Sequence, residues 1–232
     1  MRLRKVKGAE EAVAACPCLV ADPKDHRGHF AEVFGQEAAG HPLHLEIGMG
    51  KGRFITEMAC RHPEINFVGM ERFASVLVRA VEKQDELQLP NVRFLFKDAE
   101  QLNAYFGENE IDRIYLNFSD PWPKDRHAKR RLSSPVYLAR YCHVLRPGGV
   151  VEQKTDNAAL FEYSLESFRE NGWTITSLTY DLHHSEFAED NVMTEYEQRF
   201  SQLGNKIMRL TAVRPDSVPP VPPDRTPEEY EL

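Results

Sequence analysis

The sequence predicts an α/β fold: a mostly parallel sheet with helices on both faces and an antiparallel last strand. Three observations predict it. From residue 43 onward, short apolar runs alternate with stretches of helical period, the pattern of successive strand–helix–strand units. A glycine-rich turn, Gly48-Met-Gly50-Lys-Gly52, joins the first apolar run to the first helical stretch. Four consecutive strands end at or near acids, Glu46, Glu71, Asp98 and Asp120, and an open parallel sheet binds ligands beyond the carboxyl ends of its strands.

The elements follow in order. Residues 1–41 read as a basic, loop-rich lead-in; Arg2, Arg4, Lys5 and Lys7 stand there without an acid among the first eight residues, and residues 9–41 are poorly periodic. Residues 42–214 form the domain. A strand at 43–48 passes through the glycine turn into a helix at 53–61, which Pro63 stops. A strand at 66–71 leads to a helix at 74–89, broken by Pro90-Asn91, and then a strand at 92–98. A short helix near 100–106 precedes the strand at 111–118. The helix at 133–145 ends on Arg146-Pro-Gly-Gly149, a strong stop signal. A strand at 150–156, a helix at 158–170 closed by Asn171-Gly172, and a strand at 174–181 come next. A polar loop over 182–194 and a helix at 195–202 lead to the last strand, 205–214. No long crossover precedes that strand, hence the antiparallel expectation. Residues 215–232 are Pro-rich and acidic and read as an extended or disordered tail.

Composition narrows the classes. The chain has 232 residues, 41% of them hydrophobic, enough for one large α/β core. No run approaches the roughly 18 apolar residues of a membrane span, and no apolar signal core follows the basic N-terminus. Cys16, Cys18, Cys60 and Cys142 show neither disulfide nor zinc spacing, so a reduced, cytoplasmic protein without a bound metal is expected. The formal charge is −7, but the tail holds five acids against one base, so local patches decide whether nucleic acid binds.

The glycines allow close backbone approach to a ligand and start a helix whose N-terminal amides favour an anionic group, so Gly48 and Gly50 are candidate cofactor contacts. A dinucleotide fingerprint wants glycine at 53, where Arg53 stands, which disfavours NAD. An acid after the second strand, Glu71, suits a pair of ribose hydroxyls. Asp98 suits an adenine amine, or caps a helix with Gln101. Residues 117–131 read Asn117-Phe-Ser-Asp120-Pro-Trp-Pro-Lys124-Asp-Arg126-His127-Ala-Lys129-Arg130-Arg131. The two prolines make a stiff corner that holds Asp120 and Trp122, and the basic run is the footprint of a phosphate backbone. Trp122 either stacks on a base or packs the corner.

Glu46-Ile-Gly-Met-Gly-Lys-Gly52 resembles the first motif of Rossmann-like class I S-adenosylmethionine-dependent methyltransferases. Residues 117–131, Lys154-Thr-Asp156-Asn157 and Thr194-Glu-Tyr-Glu197 together resemble the bacterial tRNA (guanine-N7-)-methyltransferases. The resemblance implies methyl transfer from S-adenosylmethionine to guanosine 46 of the tRNA variable loop. It implies cofactor contacts from Glu46, Glu71, Asp98 and Asp120, with Asp120 also facing the guanine as the catalytic residue. It implies substrate contacts from Lys124, Asp156, Thr194, Glu195, Tyr196 and Glu197, and RNA contacts from Arg126, His127, Lys129, Arg130 and Arg131. Taken alone, Asp156 also reads as a helix cap, Tyr196 as core, and Thr194-Glu-Tyr-Glu197 as a helix start. tRNA is the expected partner, with no DNA and no membrane; the sequence leaves the oligomeric state open. Two rivals remain: a methyltransferase for another RNA base, whose amino-group form carries Asn/Asp-Pro-Pro-aromatic rather than Asp-Pro-Trp-Pro, and a tRNA-binding module without activity.

Overall fold

In the computed structural model, which describes residues 6–223, seven strands form one sheet in the order β3-β2-β1-β4-β5-β7-β6. The strands are β1 (Leu43–Ile47), β2 (Asn66–Met70), β3 (Val92–Leu95), β4 (Ile111–Asn117), β5 (Leu145–Thr155), β6 (Thr174–Thr179) and β7 (Met208–Val213). β1 pairs in parallel with both β2 and β4, and β5 continues parallel to β4. β7 lies antiparallel between β5 and β6, as its missing crossover predicts. The chain therefore reverses its direction of growth between β1 and β4, and a crevice opens there at the carboxyl edge.

Alternation along the strands sorts the core into two layers. Leu45 and Ile47 of β1, with Ile114 and Leu116 of β4, face α5 (Pro135–Val144) and α6 (Ala158–Glu170). Phe67 and Tyr115 face the other way, onto α2 (Arg53–Arg61) and α3 (Ala74–Leu87). Gly52, left-handed at φ 79°, starts α2; a Cβ there would stand 2.6 Å from the Cβ of Ala80, so the close approach of α2 to α3 demands glycine.

One expectation changes, at the boundary of helix and strand near residue 146, and the two ends gain detail. The lead-in packs on the body. It forms α1 (Ala9–Ala14) and several 3-10 turns, buries Val13, Val20 and Phe30, and bridges Leu19 to Phe94 beside β3. Its apolar residues are too irregularly spaced to show a period. Arg146-Pro-Gly-Gly149 does not separate a helix from a strand. It bulges out of β5, whose pairing with β4 jumps from Ile111↔Leu145 to Arg113↔Val150. Of the tail, residues 215–223 run along α5, where Arg140 donates to the carbonyl of Pro223 (3.0 Å) and His143 to that of Pro219 (2.6 Å). Arg2, Arg4 and Lys5 and the tail's residues 224–232 lie outside the described residues. The short helix near 100 is a 3-10 turn, Ala99–Gln101, followed by α4 (Leu102–Tyr105).

Candidate active site

β1 places Glu46 under the glycine turn, 1% exposed. Its Oε1 accepts from Asn117 Nδ2 of the adjacent β4 (2.8 Å), while Oε2 is buried without a partner. Burial pushes the carboxyl up to about 8, against the pull of Asn117 and Lys154. Glu71 follows β2 and is gripped by the loop: Gly50 N donates to Oε2 (3.1 Å), Arg72 N and Phe73 N to Oε1 (2.9 and 3.0 Å). Burial raises this carboxyl too, and those amides oppose the rise. The anion that the glycine loop holds here is thus Glu71 itself, and Gly48 and Gly50 have open space above them. Asp98 accepts from Glu100 N (3.0 Å), so the capping role predicted for it is real, and Arg72 lies 3.6 Å from its other oxygen.

The corner after β4 is strained as well as proline-bound. Phe118 and Trp122 are left-handed, at φ 53° and 41°, conformations that bulky side chains hold only under constraint. Arg131 supplies part of that constraint. Its guanidinium donates to the carbonyls of Pro121 (3.1 Å) and Trp122 (3.0 Å) and lies over the Tyr163 ring at 4.2 Å. Arg131 therefore braces the corner. Trp122 packs within the basic segment, with Arg130 over its ring at 5.0 Å and His127 edge-on at 5.6 Å. Lys124, Arg126 and Lys129 are arrayed around a 3-10 turn, Asp125–Arg130, all three exposed.

Asp120 stands exposed on this corner and lines a cleft of about 240 Å³ with Phe118, Thr155, Asp156 and Tyr196. Asp156 does not cap α6; Asn157 does, accepting from Leu160 N at 2.8 Å. Asp156 is left to accept from Tyr196 Oη (3.3 Å) and Asn205 (3.0 Å). Tyr196 is no core residue: it is 42% exposed, stacked on Phe200 and tilted against Phe118. The neighbours of Tyr196 turn elsewhere. Thr194 caps α7 (Glu195–Gln202) through Glu197 N (2.9 Å), and Glu195 pairs with Lys83 of α3. Glu197 is fully buried, so it does not reach the cleft as expected. Its oxygens meet Lys154 (2.7 Å), His183 (2.9 Å) and Asn191 (2.7 Å). Burial alone would raise the Glu197 carboxyl; Lys154 and those hydrogen bonds outweigh it and hold it below the usual range.

Lys154 and Asn117, which stand within the sequence motifs without an expected role of their own, hydrogen-bond Glu197 and Glu46 respectively. Asn117↔Lys154 are in register, so Glu46, Asn117, Lys154 and Glu197 form a polar line across the upper sheet. The available signal was a lysine inside a central strand, where both faces must be covered.

The arrangement suits a ligand with an ammonium group, vicinal hydroxyls and a flat ring. Glu46 Oε2 lacks a partner, Glu71 keeps spare acceptor capacity at the edge, and Phe73 beside it is 41% exposed. Those features fit S-adenosylmethionine. Among the described residues no three His, Cys, Asp or Glu side chains are grouped to hold a metal.

Sheet order, glycine loop and strand-end acids define a class I S-adenosylmethionine-dependent methyltransferase. The family profile described as "Putative methyltransferase" matches residues 40–210. A tRNA (guanine-N(7)-)-methyltransferase of Lachnoclostridium phytofermentans is 52% identical, covering 92% of this chain and 99% of its own. One of a Geobacillus species is 51% identical over 93% and 96%. The chain belongs to the tRNA (guanine-N(7)-)-methyltransferase family. Solved structures share the fold at low identity. "Structure of an Antibiotic Related Methyltransferase" has a TM-score of 0.62 at 19% identity, covering 85% of this chain and 96% of that one. The 16S rRNA methyltransferase KamB has 0.57 at 18%, covering 75% and 88%.

Proposed function

We propose that this protein methylates N7 of guanosine 46 in the variable loop of tRNA, in the cytoplasm, with S-adenosylmethionine as donor. The observation that carries the reading is the cleft holding Asp120, Asp156 and Tyr196 at the carboxyl edge, whose Phe118 directly follows Asn117, the hydrogen-bond partner of the buried Glu46. The donor supplies an electrophilic methyl group on a sulfonium. Guanine N7 has a lone pair and no proton to lose, so no residue here has to act as an obligatory base. The protein's task is positioning, which supplies several kcal/mol of barrier reduction. Asp120 accepts from the guanine Watson–Crick edge and favours the positive charge that grows on the ring. Tyr196 offers an exposed ring for the base, and its hydroxyl stays tied to Asp156. Lys124, Arg126, His127, Lys129 and Arg130 lie on the adjoining rim and take the RNA backbone.

The test is incubation of the protein with methyl-labelled donor and an unmodified tRNA transcript, followed by nucleoside analysis and mapping. Label in 7-methylguanosine at position 46, lost in a transcript carrying adenosine there, is the expected result. Label on another base, or none, overturns the reading.

A further inference from the structure

A second cavity, of about 440 Å³, opens on the sheet face covered by α2, alongside the middle of β4 and β5, and shares no lining residue with the Asp120 cleft. Phe54 and Tyr115, edge to face at 5.0 Å, line its aromatic floor together with Phe187, over whose ring Arg209 lies at 4.9 Å. Three guanidiniums line it: Arg61 of α2, Arg113 of β4 and Arg209 of β7. Their acids are shared. Arg113 and Arg209 converge on the same oxygen of Glu152, at 3.1 and 2.8 Å. Arg61 divides Glu57 with Arg53. Asp190, the other acid lining the cavity, is exposed. Three guanidiniums and two carboxylates, Glu152 and Asp190, thus line the cavity, so a lining with an aromatic part carries surplus positive charge. Guanidiniums present more donors than one shared carboxylate oxygen can take, and phosphate matches their planar fork.

We propose that this cavity binds a nucleoside monophosphate unit, its phosphate on Arg61, Arg113 and Arg209 and its base against Phe187 over the Phe54–Tyr115 floor. The volume falls within the range of small-molecule sites. The unit comes either as a free nucleotide or as a splayed nucleotide of the bound RNA. The cavity also touches the buried Lys154–Glu197 pair: Asn191 lines it, accepts from Lys154 (3.0 Å) and donates to Glu197 (2.7 Å).

The test is calorimetric titration of AMP into the full chain saturated with S-adenosylhomocysteine, so that the adenine site of the cofactor is blocked. Saturable binding of one equivalent is expected, with adenosine and inorganic phosphate each much weaker. Arg61→Glu sits on the α2 surface, outside the Glu152 cluster, and weakens AMP binding about ten- to a hundredfold, the effect of removing one charge-assisted hydrogen bond. Circular dichroism and cofactor affinity stay unchanged in that variant. Added tRNA that displaces AMP assigns the site to an RNA nucleotide; AMP and tRNA bound together assign it to a free nucleotide. Absence of saturable AMP binding, or binding indifferent to Arg61→Glu, overturns the proposal whether or not the protein methylates tRNA.

Discussion

In the proposed reading, Glu46 links cofactor binding to pH. Its carboxyl is held neutral up to about 8 because burial disfavours the charge, and an incoming ammonium requires the carboxylate. Cofactor affinity should therefore rise with pH through about 8, and binding near neutrality should release a proton, measurable by calorimetry in buffers of different ionisation enthalpy. The folding sign is the reverse of the usual carboxylate. The folded state holds the proton more tightly than the unfolded chain, so this group's contribution to stability falls as pH rises from about 4.5 to about 8. Glu46→Gln should remove both dependences; a proton release that survives the substitution would assign it elsewhere. Asp120 is the opposite case, exposed and unneeded by the core. Asp120→Asn should keep the melting temperature and lower the single-turnover rate by about 10²–10³ at saturating cofactor and tRNA. Both acids were legible as strand-end carboxylates beyond a glycine turn. Glu197 was not legible, because Thr-x-x-Glu reads as an exposed helix start, and nothing local announces that Lys154, 43 residues earlier, draws it inside.

At the level of elements, the basic run divides into two kinds of residue. Arg126 and Lys129 stand on the turn, whereas Arg131 holds the two carbonyls of the strained corner. Arg126→Ala with Lys129→Ala should flatten the salt dependence of tRNA binding by about one unit for each phosphate no longer neutralised, with the rate at saturation retained. Arg131→Ala should do the reverse: the corner relaxes and the saturated rate falls, with little change in salt slope. Equal slopes in all variants would mean that this rim does not touch the RNA. The stiffness of the corner was readable from Pro121 and Pro123. Its other half, an arginine ten residues away folding back on the carbonyls, needed the tertiary structure. α7 shows the same limit. Its helical period was readable, but its ties to the cofactor side, Glu195 to Lys83 and Gln198 to Arg53, cross more than a hundred residues.

For the molecule as a whole, the strand–helix alternation and the antiparallel strand follow from pattern and connection length. The packing of the lead-in and tail does not, because neither has a period to read. Removing residues 215–232 should lower stability by about 1–3 kcal/mol, from broken hydrogen bonds at Arg140 and His143, and leave activity in place. Denaturant titration of the shortened chain checks it; an unchanged midpoint would mean the tail only lies alongside. The sheet order also sets a clock for biosynthesis. Among the described residues β6 pairs only with β7, and β7 is the last strand made, beginning 29 residues after β6 ends. At 5–20 residues per second, the ribosome leaves β6 waiting for about 1.5–6 s. β6 reads Thr-Ile-Thr-Ser-Leu-Thr, uncharged and rich in β-branched residues, the composition of a segment that pairs with strangers. Nascent chains stalled in that interval are where a holding chaperone has the most to protect.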